Sequence, residues 1–142
     1  SYASFAGVAS LDGDRRVDPA LGARVVRTID QNGGVADDAS FGRYNVTNAE
    51  FNNELGHNIP NVFQSYLASM PLPWVFVMGY PITEPYWTRA TVGGQTKDVL
   101  VQLYERRTLT YTPSNQEAFR VEMGNVGQHY YRWRYGAAPW ER

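Results

Sequence analysis

The stretch Tyr86-Trp87-Thr88-Arg89-Ala90-Thr91-Val92-Gly93-Gly94-Gln95-Thr96-Lys97-Asp98-Val99-Leu100-Val101-Gln102-Leu103 decides the fold. Residues 86–92 and 97–112 are strand-like, rich in β-branched and aromatic side chains, and are joined through Gly93-Gly94-Gln95. A glycine pair supplies the positive φ that a tight hairpin turn needs. Val99, Val101 and Leu103 alternate with Asp98, Leu100, Gln102 and Tyr104, which assigns them to opposite faces. Leu109 and Tyr111 continue the first set, but Glu105 and Arg107 interrupt it, so a bulge or bend is expected near Arg106. Thr112-Pro113-Ser114-Asn115 is a turn. Phe119 to Met123 is expected to form a third strand, with Phe119, Val121 and Met123 on one face.

Toward the N-terminus, Asn58-Ile59-Pro60 opens a helix with a capping residue and an early proline. Val62, Phe63, Tyr66, Leu67 and Met70 make its apolar stripe, and Pro71 and Pro73 end it. The apolar run from Trp74 to Ile82 is expected to be a buried strand or extended segment. Asp18-Pro19, followed by Leu21, Val25, Val26 and Ile29, predicts an earlier helix over 19–32. Residues 1–17 read as loop. Residues 33–57 are rich in Gly, Asp, Asn and Ser and read as a long loop pinned by aromatics, with a short helical turn over 48–53. Toward the C-terminus, Val126, Tyr130 and Trp133 predict a short helix, and residues 136–142 a tail. The expectation is a single α+β domain over 1–142, with a small antiparallel sheet and a Gly-Gly hairpin packed against two or three short helices. Its parts are residues 1–57 (helix plus long loop), 58–135 (helix, hairpin and C-terminal helix) and 136–142 (tail).

The 142 residues suffice for one core without staples. Hydrophobic residues make up 43% and charged residues 19%, a globular balance that excludes disorder throughout. Thirteen basic residues face fourteen acidic ones, so no global field favours nucleic acid or anionic membrane. Lys97 is the only lysine. With no cysteine, a disulfide framework, a thiolate zinc site and a Cys nucleophile are excluded. No apolar stretch approaches the ~20 residues of a membrane span, and no signal peptide is recognisable. Beginning at Ser1-Tyr2, the chain is expected to be a processed or trimmed piece of a longer protein.

No catalytic motif is complete. His57 near Glu54 could form an acid/base pair, but His57 and Asn58 are more simply read as tying the long loop to the following helix. His129 lies among tyrosines and reads as a packed ring. Asp12-Gly13-Asp14 with Asp18 lacks the twelve-residue pattern and terminal Glu of a calcium loop, so neither a metal nor a cofactor is expected. Glu84, Glu105 and Glu122 are embedded in the most aromatic part, where paired carboxylates would suit a glycosidase with His57 assisting. Flanking arginines make salt-bridge partnership the simpler reading. The 10 Tyr, 6 Phe and 4 Trp are the strongest functional hint: flat rings with a polar handle suit sugars and partner interfaces. About half of Tyr80, Tyr86, Trp87, Tyr104, Tyr111, Tyr130, Tyr131, Trp133 and Tyr135 are expected to be buried. The ligand-facing set is expected to be Tyr86, Trp87, His129, Trp133, Arg134 and Tyr135.

Met78 to Trp87 (MGYPITEPYW), Val99 to Thr112 (VLVQLYERRTLTYT) and Val121 to Tyr135 (VEMGNVGQHYYRWRY) resemble the C-terminal region of predicted exported proteins from Chloroflexota and similar thermophilic bacteria. The resemblance covers about residues 52–135. It implies export and an accessory, surface-associated role, and transfers no catalytic residue. The expected function is therefore a non-catalytic, extracellular or cell-surface binding module. Its expected partner is polysaccharide, cell-wall glycan or a protein, with no nucleic acid and no membrane span. A small glycoside hydrolase and a structural docking domain of a larger exported protein are the alternatives.

Overall fold

The structure is a computed structural model and describes residues 2–10 and 14–124. The fold is mixed α+β with strands predominating. In chain order the strands are β1 (Arg27–Ile29), β2 (Val35–Asp37), β3 (Asn48–Asn52), β4 (His57–Pro60), β5 (Tyr86–Val92), β6 (Gln95–Leu103), β7 (Thr108–Tyr111) and β8 (Val121–Gly124). The helices are α1 (Asn61–Ala68) and α2 (Trp74–Met78), with 3-10 turns at Tyr2–Phe5, Ala39–Tyr44 and Glu117–Phe119. Six strands form one sheet in the order β2-β1-β5-β6-β7-β8, and β3 and β4 form a second, two-stranded sheet.

β5 to β8 are successive antiparallel neighbours. Between Val92 and Gln95, which face each other across the ladder, Gly93 and Gly94 adopt φ of 59° and 79°. β6 is central and closed on both faces, being buried from Val99 through Leu103. Leu100 and Tyr104 join a core with Val25, Phe41, Val46, Ile59, Phe63, Leu67, Met78, Trp87 and Leu109. Val99, Val101 and Leu103 join a second core with Phe5, Ala9, Ile29, Ile82 and Tyr86. The period-2 alternation along β6 thus feeds two cores from one strand. Each fully buried aliphatic side chain there contributes about 2 kcal/mol.

The sheet is larger than the sequence suggests and is not purely antiparallel, because β1 joins β5 in parallel with Thr28 opposite Trp87. The helix expected over 19–32 is absent. Arg24 forms an isolated bridge with Thr47, and residues 27–29 are β1. Val25, Val26, Thr28 and Ile29 are β-branched and fit a pleated surface better than a helical one. The spacing that suggests a helix also places Val25 and Ile29 inward from a strand. The expected loop over 33–57 contains β2, a 3-10 turn, β3 and the first residue of β4, so residues 48–52 are strand rather than helical turn. Asn58 lies in β4, not at a helix cap. α1 starts at Asn61, whose Oδ1 accepts from Val62 N (2.8 Å) and Thr47 N (3.3 Å).

Trp74–Met78 is a helix instead of an extended segment. Pro73 occupies its N-cap position, and Arg106 donates from Nη2 to the carbonyls of Phe76 (3.0 Å) and of Val75 (2.6 Å), the latter shared with Gly79 N (2.9 Å). Near Arg106 the chain reverses outright into β7 rather than bending within one strand. Phe119 falls in the 3-10 turn before the last strand and is 60% exposed, and Met123 is 41% exposed, while Val121 packs against the core, so two of the three residues of the expected apolar face lie outside. The expected helix at 126–133 and the tail lie outside the described residues.

Candidate functional site

A dense polar cluster joins three distant segments. His57 and Asn58 open β4, Glu84 precedes β5, and Ser10 ends the N-terminal segment, where its N–H donates to Ile82 O (2.7 Å). Ser10 Oγ lies 2.7 Å from His57 Nε2, and His57 Nδ1 lies 3.0 Å from Glu84 Oε2. The same carboxylate oxygen accepts from Asn58 N (2.9 Å), and Glu84 Oε1 accepts from Asn58 Nδ2 (2.9 Å). Asn58 Oδ1 accepts from Ala20 N (2.9 Å). Behind the cluster, Gln102 Nε2 donates to the carbonyls of Asn58 (2.8 Å) and Thr83 (2.9 Å), and Tyr104 OH donates to Gln102 Oε1 (2.9 Å). The assignment with His57 Nδ1–H donating to Glu84 and Nε2 accepting from the Ser10 hydroxyl leaves every member partnered.

Ser10, His57 and Glu84 share the connectivity of a nucleophile, base and orienting carboxylate. Ser10 is only 2% and His57 1% exposed, so the hydroxyl meets no solvent-side substrate. The chain acts as a polar staple holding the N-terminal segment, β4 and the approach to β5 together. Of its members, Glu84 and its partner Asn58 line a cleft.

That cleft has a volume of about 300 Å³. Asp18, Arg24, Arg27, Asp37, Asn48, Asn58 and Glu84 supply its polar wall, with Val17, Ala20, Ala23, Val25, Val26 and Pro85 between them. Arg27 pairs with Asp37 (3.4 Å). Asn48 is 9% exposed, and its Oδ1 has no hydrogen-bond partner. Burial raises the Tyr86 hydroxyl pKa above its ordinary value; nearby Glu84 pushes the same way, and Arg27 opposes both. The cleft therefore offers several carboxylate acceptors and two guanidinium donors, on a wall fixed from behind by the buried network.

Among the sequence candidates, Glu84 and His57 come together. His57 is partnered by Glu84 and not by Glu54, whose backbone carbonyl instead accepts from Arg16 (3.1 Å). Glu105 and Glu122 are not in the cleft. Glu105 is exposed and accepts from Tyr80 N (2.8 Å); Glu122 is exposed on β8 beside Asn115 (3.4 Å). Trp87 and Tyr86, expected to face a ligand, are inside. Trp87 is fully buried, stacks against both Phe41 and Tyr44 with ring centroids 5.0 and 4.9 Å away, and donates to Val25 O (2.8 Å). Tyr86 is 5% exposed and packs edge-on against Phe5. Their position on the inner strand of a two-faced sheet leaves no ring face for a partner. His129, Trp133, Arg134 and Tyr135 lie outside the described residues.

Arg24, Arg27, Asp37 and Asn48 carry no local signal of a site, since they converge only through the β1–β2 and β1–β5 pairings and the bridge from Arg24 to Thr47. Among the described residues no group of three or more His, Asp or Glu side chains is arranged to hold a metal ion, and no helix is long and apolar enough to cross a membrane. Compared with models of protein families, with curated proteins and with solved structures, the chain matches none.

Proposed function

We propose that the domain is a non-catalytic binding module, exported or held at the cell surface, that takes polysaccharide or cell-wall glycan in the cleft around Glu84. The observation that carries this reading is the orientation of Glu84. Asn58 N, Asn58 Nδ2 and His57 Nδ1 fix both carboxylate oxygens at 2.9–3.0 Å, so an acceptor stands ready at the cleft wall without ordering cost on binding. Carboxylates next to guanidinium groups match the paired donor and acceptor character of sugar hydroxyls. No aromatic ring lines this cleft, so polar contacts supply the recognition in this reading.

The test is affinity retention on immobilised cell-wall polysaccharides, with calorimetry on soluble oligosaccharides. Arg24→Ala and Asp37→Ala alter exposed side chains and leave the core intact. Each is expected to weaken binding by roughly tenfold, the effect of losing one good polar contact. Failure of the wild-type domain to bind any glycan would sink the reading; binding unchanged in both variants would move the site elsewhere.

A small glycoside hydrolase is the second reading, favoured by the contact of His57 with Glu84. Its paired-glutamate version lacks a second glutamate in the cleft. Release of reducing ends that disappears in Glu84→Gln would establish it in place of binding alone.

A further inference from the structure

The single lysine meets a side-chain amide, and that amide in turn lies against a carboxylate. Lys97, half-buried on β6, places Nζ 3.0 Å from Asn115 Oδ1. Asn115 ends the turn after β7 and is held there on several sides. Its N–H donates to Thr112 O (3.1 Å), its Nδ2 donates to Phe119 O (3.1 Å), and its carbonyl accepts from Arg120 Nε (3.1 Å). Glu122 Oε1, on β8, lies 3.4 Å from the same Nδ2. An amine, an amide and a carboxylate from three segments thus form one chain, with the amine beside the amide carbonyl and the carboxylate beside the amide nitrogen.

We propose that Lys97 and Asn115 become joined by an intramolecular isopeptide bond, with Glu122 moving the proton. The unprotonated Nζ of Lys97 attacks Cγ of Asn115, forming the C–N bond and a tetrahedral centre. Glu122 takes the proton from Nζ and delivers it to Nδ2. The Cγ–Nδ2 bond breaks, and ammonia leaves. The balance is amine plus carboxamide giving secondary amide plus ammonia, so no oxidant, reductant or co-reactant is needed. The fold supplies proximity, which for well-oriented intramolecular reactions replaces a very high reactant concentration. The carboxylate supplies general acid–base catalysis. One event per molecule suffices, so no turnover is required. The attacking form is the free amine, so the reaction is followed under alkaline as well as neutral conditions. A cleft of about 330 Å³ lined by Lys97 and Ser114 gives the ammonia a way out. In a chain without cysteine, the bond would tie β6 to the β7–β8 connection, as a disulfide would.

Intact-mass measurement on the full chain tests this, freshly purified and after incubation at pH 7 and pH 9. The expected mass is about 17 Da below that of the sequence, the loss of one ammonia, with a branched peptide containing Lys97 and Asn115 in the digest. Lys97→Arg keeps the charge but removes the nucleophile. It is expected to retain the full mass and to melt on the order of 10 °C below the joined protein. Glu122→Gln is expected to slow the mass loss about 100-fold. Full mass in the wild type after incubation at pH 9 would overturn the proposal, leaving Lys97 and Asn115 as hydrogen-bonded neighbours. A loss of ammonia that persists in Lys97→Arg would also overturn it, since the exposed Asn32-Gly33 turn can lose ammonia by closing on its own backbone. An unchanged rate in Glu122→Gln would overturn the role given to that carboxylate.

Discussion

Tyr104 shows how one side chain ties core to cluster. It is fully buried, and its hydroxyl donates to Gln102, whose amide in turn holds the carbonyls of Asn58 and Thr83. Burial, with a smaller contribution from the charge of Glu50, raises its pKa well above 10. Above pH 10 the unfolded chain ionises this phenol and the folded chain does not. Stability from this group is therefore complete below pH 10 and falls as pH rises toward the folded pKa, by up to about 1.4 kcal/mol per pH unit. Tyr104→Phe is expected to flatten that alkaline limb in urea titrations between pH 9 and 12. At pH 7 the same substitution should cost about 1–3 kcal/mol, because Gln102 Oε1 loses its donor. Tyr86 and Tyr44 are shifted upward by burial as well, so some slope remains. At this scale the chemistry of Glu84 and His57 is legible from residue type, but their partnership is not. They stand 27 positions apart, and Ser10 a further 47 from His57, with no motif to connect them.

Between elements, Gly79 sets the exit from α2. Its φ of 72° with ψ of −176° is a combination that side-chain-bearing residues avoid, and an added Cβ would sit 2.5 Å from Glu105 Cβ. Gly79→Ala is expected to destabilise the fold by about 2–4 kcal/mol in equilibrium denaturation. Gly93→Ala, where φ is 59° and nothing lies within 4 Å, should cost only about 1–2 kcal/mol. Comparable losses at both sites would refute the steric account. The strands of the β5–β8 meander are legible because their pattern is local: alternation along 97–103, β-branched runs and turn residues between them. β1 is not, because Leu21, Val25, Val26 and Ile29 satisfy a helical spacing equally well, and only its pairing with β5 decides between the two. The Trp74–Ile82 run is ambiguous for a similar reason. A short apolar segment has no period of its own, and the Arg106 that caps its helix comes from the far side of β5 and β6.

For the molecule as a whole, protection should be graded across the sheet from its centre. β6 is buried on both faces and paired on both edges, whereas β2 is exposed throughout at the sheet margin. Amides of residues 100–103 are expected to exchange only through global unfolding. Those of residues 35–37 should exchange at least about 100-fold faster, as read by hydrogen-exchange NMR. Equal protection would mean that the sheet opens as one unit. The dominance of strand and the two cores are whole-molecule facts that no single segment announces. They follow from β6 presenting apolar side chains on both faces, which the sequence shows, and from which distant segments cover them, which it does not.

The parallel pairing of β1 with β5 has a consequence for how the chain is made. Thr28 leaves the ribosome 59 residues ahead of its partner Trp87. At cellular elongation rates of roughly 5–20 residues per second, β1 waits several seconds for the strand beside which it will lie. Val25 and Ile29 meanwhile lack the cores that later enclose them. The meander from β5 onward can close on itself as it emerges, so the last-made half of the described chain becomes the template onto which the first-made half is laid.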